Sequence, residues 1–214
     1  MLKIGVLASG RGSNFQAMID EGKADNLKVS IECLITDTPA CYAIKRAEEN
    51  GIPAFYINPD DYKTKDLYYH KIAYELKSSG VGLVLLAGFM RVVRKPLLDA
   101  YPMRIMNVHP SLLPAFRGLD AQKQALDFGV KVAGCTVHFV DEGVDTGPII
   151  IQAAVSVIQG DNAESLSDRI LKLEHKIYPY AVKLFSEGRL RVEGRTVVIK
   201  GGVDNNGFLT NPPV

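Results

Sequence analysis

The sequence predicts an α/β protein: a mostly parallel open sheet flanked by helices, with an antiparallel extension in its C-terminal half. Short apolar runs rich in Val, Ile and Leu recur along the first half, at residues 3–8, 29–36, 53–57, 82–88 and 104–109. Longer segments with helical spacing separate them. Strands that alternate with helices form parallel sheets through right-handed crossovers, so this half is expected to be Rossmann-like.

The individual elements follow from the spacing of apolar residues. The five runs are mostly apolar on both faces instead of alternating apolar and polar residues, which is typical of parallel strands buried on both faces. The segments 14–21, 40–50 and 62–79 are predicted to be helices because apolar residues recur in them every three or four positions.

The pattern changes after about residue 118. Segments 132–140 and 148–158 predict an antiparallel pair joined by the polar loop DEGVDTG. A helix is predicted over about 162–185, followed by a small hairpin that turns near Glu193 and Gly194, and by a polar tail. No repeat or linker interrupts the chain, so we expect a single domain over 1–214. Its parts are a phosphate-binding βαβ half (1–110), a half that closes the substrate site (111–200) and the tail (201–214).

Composition excludes several classes of protein. The 214 residues are 47% hydrophobic and carry a formal net charge of +1. Neither a nucleic-acid nor a membrane partner is therefore expected, and the N-terminus lacks the pattern of a signal peptide. The three cysteines, Cys33, Cys41 and Cys135, are far apart and form no C-x-x-C pair, which favours reduced thiols over disulfides or a zinc site.

Three polar segments follow predicted strands: ASGRGSN at 8–14, AGFMR at 87–91 and NVHPS at 107–111. Open parallel sheets bind ligands at the carboxyl ends of their strands. These three segments are therefore the candidate sites.

ASGRGSN resembles an anion site. Gly10 and Gly12 let backbone N–H groups approach a ligand, and the helix that opens at Ser13 and Asn14 adds positive potential. Phe15 replaces the third glycine of a dinucleotide fingerprint, and the segment is not a P-loop. A phosphate monoester therefore fits better than a pyrophosphate, and a tight strand–helix turn with a helix cap is an equal alternative.

NVHPS combines an amide with an imidazole. Asn107 and His109 lie two residues apart on a strand, so their side chains share a face and can donate to one developing oxyanion. The later loop supplies Asp141, Glu142 and Asp145. A carboxylate near His109 is expected to raise the pKa of the imidazole and to fix its tautomer. The alternative is a hairpin loop of solvated acids, which is favoured for Asp141 and Glu142.

Other chemistries lack support in the sequence. There is no H-E-x-x-H, no cluster of Cys and His with metal-ligand spacing and no G-x-S-x-G elbow. No metal is expected, and no Ser or Cys nucleophile has an evident base.

Five motifs, in order, carry a resemblance to a known family: ASGRGSN, LAGFMR, NVHPSLLPAFRG, VHFVDEGVDTGPII and EHKIYP. Together they resemble the phosphoribosylglycinamide formyltransferases of purine biosynthesis, from about Leu2 to Arg195. N-x-H-P-S-L-L-P with the later D-x-G-P indicates the formyltransferase superfamily. The GSN loop with E-H-x-x-Y-P indicates the ribonucleotide enzyme.

The resemblance implies an enzyme that moves a formyl group from 10-formyltetrahydrofolate to the amine of 5'-phosphoribosylglycinamide through a tetrahedral intermediate. The formyl donor would be a cosubstrate, and both partners would be small molecules. A cytoplasmic location and a monomer or homodimer are implied as well.

Site residues follow from the resemblance position by position. Asn107, His109 and Asp145 would be catalytic, and Gly12, Ser13 and Asn14 would hold the ribonucleotide phosphate. Glu174 would bond the ribose hydroxyls, with Lys172 in support. The folate would contact Lys65, Met90, Arg91, Val92, Val93, Asn107, Asp141, Glu142, Gly143, Val144 and Asp145.

Four alternative functions remain open at this stage. A 10-formyltetrahydrofolate hydrolase would carry an extra N-terminal domain, and methionyl-tRNA formyltransferase a C-terminal RNA-binding domain. Sugar-nucleotide formyltransferases do not account for the GSN loop and Glu174 as well. A binding protein without catalysis would not need Asn107, His109 and Asp145 together.

Overall fold

The computed structural model describes residues 1–201 and the backbone of residues 210–211. The chain forms two compact units. The first contains Met1–Asn107 and Val140–Glu142, and the second contains Val108–Phe139 and the described residues from Gly143 onward. The α/β class predicted above, with parallel strands first and antiparallel strands later, is confirmed.

The first unit is a parallel sheet with intervening helices, in the strand order β3-β2-β1-β4-β5. A 3-10 turn, Pro59–Asp61, follows β3, and the last two residues of β5 belong to the second unit. The elements are β1 (Leu2–Leu7), α1 (Ser13–Lys23), β2 (Val29–Thr36), α2 (Tyr42–Glu49), β3 (Ala54–Tyr56), α3 (Lys65–Ser78), β4 (Leu83–Leu86), α4 (Lys95–Ala100) and β5 (Ile105–His109).

β1, the second half of β2 and β4 are buried strands of the first unit, because their side chains are apolar on both faces, whereas no residue of β3 is buried. All four residues of β4 are buried, and so are the last four of β1. α3 supplies Tyr68, Tyr69, Ile72 and Leu76 to the same core, and Cys33 fills space within it, as predicted. Burial raises the pKa of the Cys33 thiol to about 11, and all three cysteines are free.

The second unit is mainly antiparallel, in the order β6-β7-β9-β8. β6 pairs with β7 and β8 with β9 in antiparallel fashion, while β9 joins β7 through one parallel pair. The predicted hairpin near Gly194 is confirmed. The elements are α5 (Ala121–Phe128), β6 (Val132–Phe139), β7 (Ile149–Ser156), α6 (Ala163–Ser186), β8 (Leu190–Glu193), β9 (Thr196–Ile199) and β10 (Thr210–Asn211), which pairs antiparallel with β7.

α6 provides the core of the second unit. Its buried face packs on β6 and β7 through residues such as Leu166, Ile170 and Ile177. Its first turn is closed by a capping box, in which the Asn162 side chain accepts from the Ser165 N–H at 2.9 Å and the Ser165 hydroxyl accepts from the Asn162 N–H at 3.0 Å.

Two short helices, α4 and α5, are not predicted by the spacing of apolar residues. α4 has six residues and α5 has eight, too few turns to show a clear helical period. The predicted tail over 201–214 lies largely outside the described residues. No helix within the described part of the chain is long and apolar enough to cross a membrane.

Gly134 is the tightest point between β6 and β7, and it allows a test of this packing. A Cβ atom there would lie 2.0 Å from the Ala153 carbonyl oxygen and 2.8 Å from Leu112 Cδ2. We expect Gly134→Ala to lower the free energy of unfolding by about 1–3 kcal/mol, measured by chemical denaturation.

The matched control is Gly22→Ala, because no atom lies within 4 Å of a Cβ at Gly22 in α1. That variant is expected to gain roughly 0.5–1 kcal/mol from the better helix propensity of alanine. Equal stability of the two variants would contradict the close approach of β6 and β7.

Candidate active site

A cluster of two imidazoles and a carboxylate forms in the second unit. His109 Nδ1, at the end of β5, lies 3.2 Å from Asp145 Oδ2, and His138 Nε2 lies 3.6 Å from Asp145 Oδ1. The Gly118 N–H donates to Asp145 Oδ2 at 2.9 Å. His109 is 5% exposed, so the cluster works in an environment from which most water is excluded.

Each nitrogen of the His109 ring faces an acceptor. Nε2 lies 2.8 Å from the Phe116 carbonyl oxygen and Nδ1 lies 3.2 Å from a carboxylate oxygen of Asp145, and neither oxygen can donate. His138 is placed in the same way, with Nδ1 2.8 Å from the Phe139 carbonyl oxygen and Nε2 3.6 Å from Asp145 Oδ1. A neutral imidazole has one N–H and can donate to only one of its two acceptors, whereas an imidazolium donates to both.

That loop is anchored through buried polar side chains. The Thr136 hydroxyl donates to the Ser111 carbonyl at 2.7 Å and accepts from the Leu113 N–H at 3.1 Å. Gln152 donates to the Leu113 carbonyl at 2.9 Å. Because β6 and β7 are a rigid antiparallel pair, these contacts fix where the loop carries the Phe116 carbonyl.

The loop that carries Asp145 has a constrained backbone. Asp145 has a φ of 51°, in the left-handed region, and a Cβ at Gly143 would collide with the Thr146 hydroxyl. Arg195 donates to the Thr146 carbonyl at 2.8 Å. The loop thus holds one carboxylate toward His109 and His138, whereas Glu142, Gly143 and Val144 are exposed and Asp141 is half-buried.

The expected rise in the pKa of His109 is wrong. Burial lowers the pKa of His109 below its ordinary value of 6.5, and the Phe116 carbonyl and the Asp145 charge offset this only in part. For Asp145 the balance is reversed. Burial raises its pKa, but hydrogen bonds from the His138 side chain and the Gly118 N–H, together with the charge of the two imidazoles, lower it by a larger amount. The net pKa therefore lies below 3.8.

An NMR titration of the histidine rings tests this balance. We expect His109 to titrate below 6.5, and to shift further down in Asp145→Asn, because that change removes a negative charge that raises its pKa. A value above 6.5 in the wild-type chain would restore the original expectation and contradict the dominance of burial.

Asn107 precedes His109 by two positions in β5 and is half-buried. That the two side chains share a face stays a prediction from the alternation of a strand. Asn107 also forms an interaction of its own in this structure.

The predicted phosphate loop lies in the first unit. Gly12 has a φ of 66° and is the N-cap of α1, Ser13 is the first residue of that helix, and Asn14 is 8% exposed. The amides at this end of α1 are the ones that a helix leaves without intrahelical partners.

The predicted folate segment also lies in the first unit and is tied to its surroundings. The Met90 N–H donates to the Ser9 hydroxyl at 3.0 Å, Arg91 Nε pairs with Asp37 at 2.5 Å, and the Val92 carbonyl accepts from the Tyr69 hydroxyl at 2.8 Å. Met90, Arg91 and Val92 are exposed. Val93 packs in the core, so it can offer a ligand only its backbone.

Lys65 and Lys172, two of the predicted binding residues, are exposed. Lys172 is exposed on α6 whereas Glu174 is 7% exposed, because positions two apart on a helix face different directions. Support of Glu174 by Lys172 stays a prediction. Lys65 is exposed at the first turn of α3.

His138, Phe116 and Gly118 belong to the cluster and were not predicted to do so. His138 could have been found, because it ends a strand just before the loop that carries Asp145. The backbone groups of Phe116 and Gly118 leave no signal in residue type. Within residues 1–201, no group of three or more His, Cys, Asp or Glu side chains could hold a metal ion.

Comparison with known proteins shows the family of this chain. Residues 2–182 match the domain family described as formyl transferase. The chain belongs to the formyl transferase family. It is 48% identical to the phosphoribosylglycinamide formyltransferase of Bacillus subtilis strain 168, over 86% of this chain and 94% of that protein.

Solved structures extend the comparison. The crystal structure of glycinamide ribonucleotide transformylase 1 from Symbiobacterium toebii is 52% identical, with a TM-score of 0.92 over 93% of this chain and 94% of that one. A formyltetrahydrofolate deformylase from Pseudomonas syringae is 26% identical, with a TM-score of 0.86 over 92% of this chain and 65% of its own. This chain is thus similar to these two formyl transferases along nearly its whole length, and its sequence identity to the deformylase is lower.

Proposed function

We propose that this chain transfers the formyl group of 10-formyltetrahydrofolate to the amine of 5'-phosphoribosylglycinamide in purine biosynthesis. The observation that carries the proposal is the contact of 3.2 Å between His109 and Asp145. His109 lies two positions beyond Asn107 on the same strand. In a formyl transferase, hydrogen-bond donors in this arrangement would stabilise the negative charge that develops on the formyl oxygen when an amine attacks the formyl carbon.

In the first step the amine nitrogen bonds to the formyl carbon, and the electron pair of the C=O bond moves to its oxygen. The Asn107 amide and the His109 Nε2–H donate to that oxyanion. In the second step the oxyanion reforms C=O and the bond from carbon to N10 breaks. A proton leaves the attacking nitrogen and reaches N10 through a water ordered by Asp145, giving the formamide and tetrahydrofolate.

His109 acts on the oxyanion through its Nε2–H. In the free chain Nε2 faces the Phe116 carbonyl, so the oxyanion must replace that carbonyl as its acceptor. The negative charge that develops nearby raises the proton affinity of the ring, which takes a second proton from solvent as the intermediate forms and returns it when the intermediate collapses. Asp145 accepts from the Nδ1–H of that imidazolium.

The substrate contacts are proposed from the resemblance and from the placement of each residue. The amides of Gly12, Ser13 and Asn14 bind the phosphate, and Glu174 bonds the ribose hydroxyls. The folate contacts the exposed segment at 90–92, the backbone of Val93, Asn107 and the loop at 141–145, while Lys65 attracts its carboxylates.

The scope of the proposal is one formyltransferase domain, with the parts 1–110, 111–200 and 201–214. It acts in the cytoplasm on two small molecules, as a monomer or homodimer, and the steps above call for no metal ion.

The deciding experiment is an assay of tetrahydrofolate release from 10-formyltetrahydrofolate, with and without the ribonucleotide. Release that depends on the ribonucleotide and yields its formylated form is the expected result. Release without it would instead make the chain a hydrolase, the alternative that the similarity to the deformylase favours. No release in either condition would overturn both.

A further inference from the structure

The loop between β1 and α1 is held from one side by α2. The Gly10 carbonyl accepts from the Ala43 N–H at 3.1 Å, and the next carbonyl, that of Arg11, accepts from Arg46 Nε at 2.9 Å. Gly12 packs so closely that a Cβ there would lie 2.8 Å from the Ala43 Cβ. Two consecutive peptide carbonyls of the loop therefore point to α2.

This arrangement decides where the amides point. In a planar trans peptide the N–H is directed opposite to the C=O. Since the carbonyls of Gly10 and Arg11 face α2, the N–H groups of Arg11 and Gly12 face away from it. Within the part of the chain that the structure describes, these two N–H groups donate to no other atom. They are free to bind an anion beside the first amides of α1.

Arg46 is itself held in one orientation. Its Nη1 donates to the Gln16 side chain on α1 at 2.8 Å, and its guanidinium lies 4.8 Å from the ring centroid of Tyr42. Gln16 donates in turn to Asp20 at 2.8 Å. No carboxylate lies within 4.0 Å of the Arg46 guanidinium among residues 1–201, so its positive charge is not neutralised by an ion pair.

We infer that Arg46 is a positioning residue for the phosphate of the ribonucleotide: its bond to the Arg11 carbonyl turns the Arg11 and Gly12 amides toward that phosphate. The inference rests on the proposed function for the identity of the ligand. A lysine keeps the charge but lacks the planar group that donates to Arg11 and Gln16 at once. Positioning and charge can therefore be separated by substitution.

The test compares Arg46→Met and Arg46→Lys with Lys45→Met. Lys45 is the matched control, because it is the neighbouring cation on α2 and makes no contact with the loop in the described structure: it pairs with Glu49 at 3.8 Å and lies 5.5 Å from the Tyr42 ring centroid. For Arg46→Met we expect KM for the ribonucleotide to rise about tenfold, the loss typical of a hydrogen bond to a charged group, with kcat and KM for the folate nearly unchanged. Arg46→Lys is expected to recover only part of this loss, and Lys45→Met to behave as wild type.

A pair of ligands distinguishes positioning from general damage to the fold. Calorimetry with the ribonucleotide and with its dephosphorylated riboside should show weaker binding in Arg46→Met for the phosphorylated ligand alone. Equal losses for both ligands, or full recovery by Arg46→Lys, would overturn the positioning role.

The inference can fail separately from the proposed function. If the wild-type chain does not formylate the ribonucleotide, the proposed function fails, and inorganic phosphate then serves as the probe. In that case titration with phosphate should shift the Gly12 amide resonance in wild type and in Lys45→Met, but not in Arg46→Met. A wild-type Gly12 amide resonance that does not shift with phosphate would overturn the inference on Arg46.

Discussion

Replacing His109 by alanine is expected to lower kcat by about 100- to 1,000-fold, while the affinity for the ribonucleotide changes little. In the proposed mechanism the Nε2–H of His109 is one of two donors to the oxyanion, and loss of one such donor costs ~2.7–4 kcal/mol of transition-state stabilisation. Asn107→Ala removes the other donor and is expected to have an effect of the same size. Steady-state kinetics with both substrates and calorimetry with the ribonucleotide measure the two quantities.

His70→Ala is the control for this prediction. His70 is exposed on α3, so removal of its imidazole should leave kcat unchanged. The double variant at positions 107 and 109 adds a further check, because groups that act on one oxygen do not have additive effects. Normal turnover in either single variant would contradict the oxyanion assignment.

Asp145→Asn is expected to lower kcat by about 10- to 100-fold, the equivalent of roughly 1.5–3 kcal/mol for a hydrogen bond to a charged group. The amide keeps the shape of the side chain but lacks the negative charge beside His109 and His138. The imidazolium that forms with the intermediate then has no counter-charge. Asp127→Asn, on the exposed face of α5, is the matched control, since Asp127 pairs with Lys123 at the surface.

Asp145→Asn should also change how the free energy of unfolding depends on pH. The pKa values of Asp145 and His109 are both lowered by folding, so over the acidic range the unfolded chain binds more protons than the native one. The stability that these groups contribute is therefore present above their unfolded pKa values. It is lost as pH falls, below about 6.5 for His109 and below about 3.9 for Asp145.

Denaturant unfolding at a series of pH values measures this effect. The wild-type free energy of unfolding should fall as the solution becomes acidic, and the fall below pH 4 should be shallower in Asp145→Asn. Parallel curves for the two proteins would show that Asp145 is not held in its charged form by its neighbours.

Much of the fold could be predicted because its signals are local. Apolar runs such as 82–88 and the helical spacing of 162–185 are read within a few residues, and both became elements close to the expected bounds. The short helices α4 and α5 escaped prediction because six and eight residues hold too few turns to show a period.

The sequence predicted individual residues of the site, but it did not predict the direction of the His109 pKa. Asn107 and His109 could be paired because a strand alternates with a period of two. Asp145 lies 36 positions beyond His109, so their contact depends on where β6 and its following loop run. The direction of the His109 pKa and the role of the Phe116 carbonyl depend on burial and backbone placement.

The sequence by itself determined the α/β class, the order of the strands along the chain and the residue types that suit formyl transfer, because periodicity and motif are properties of neighbouring residues. Only the tertiary structure decided which groups surround His109 and how far water is excluded from it. It also decided which way the amides at Arg11 and Gly12 point. Electrostatic energy depends on distance and hydration in space, and neither of these is a function of position along the chain.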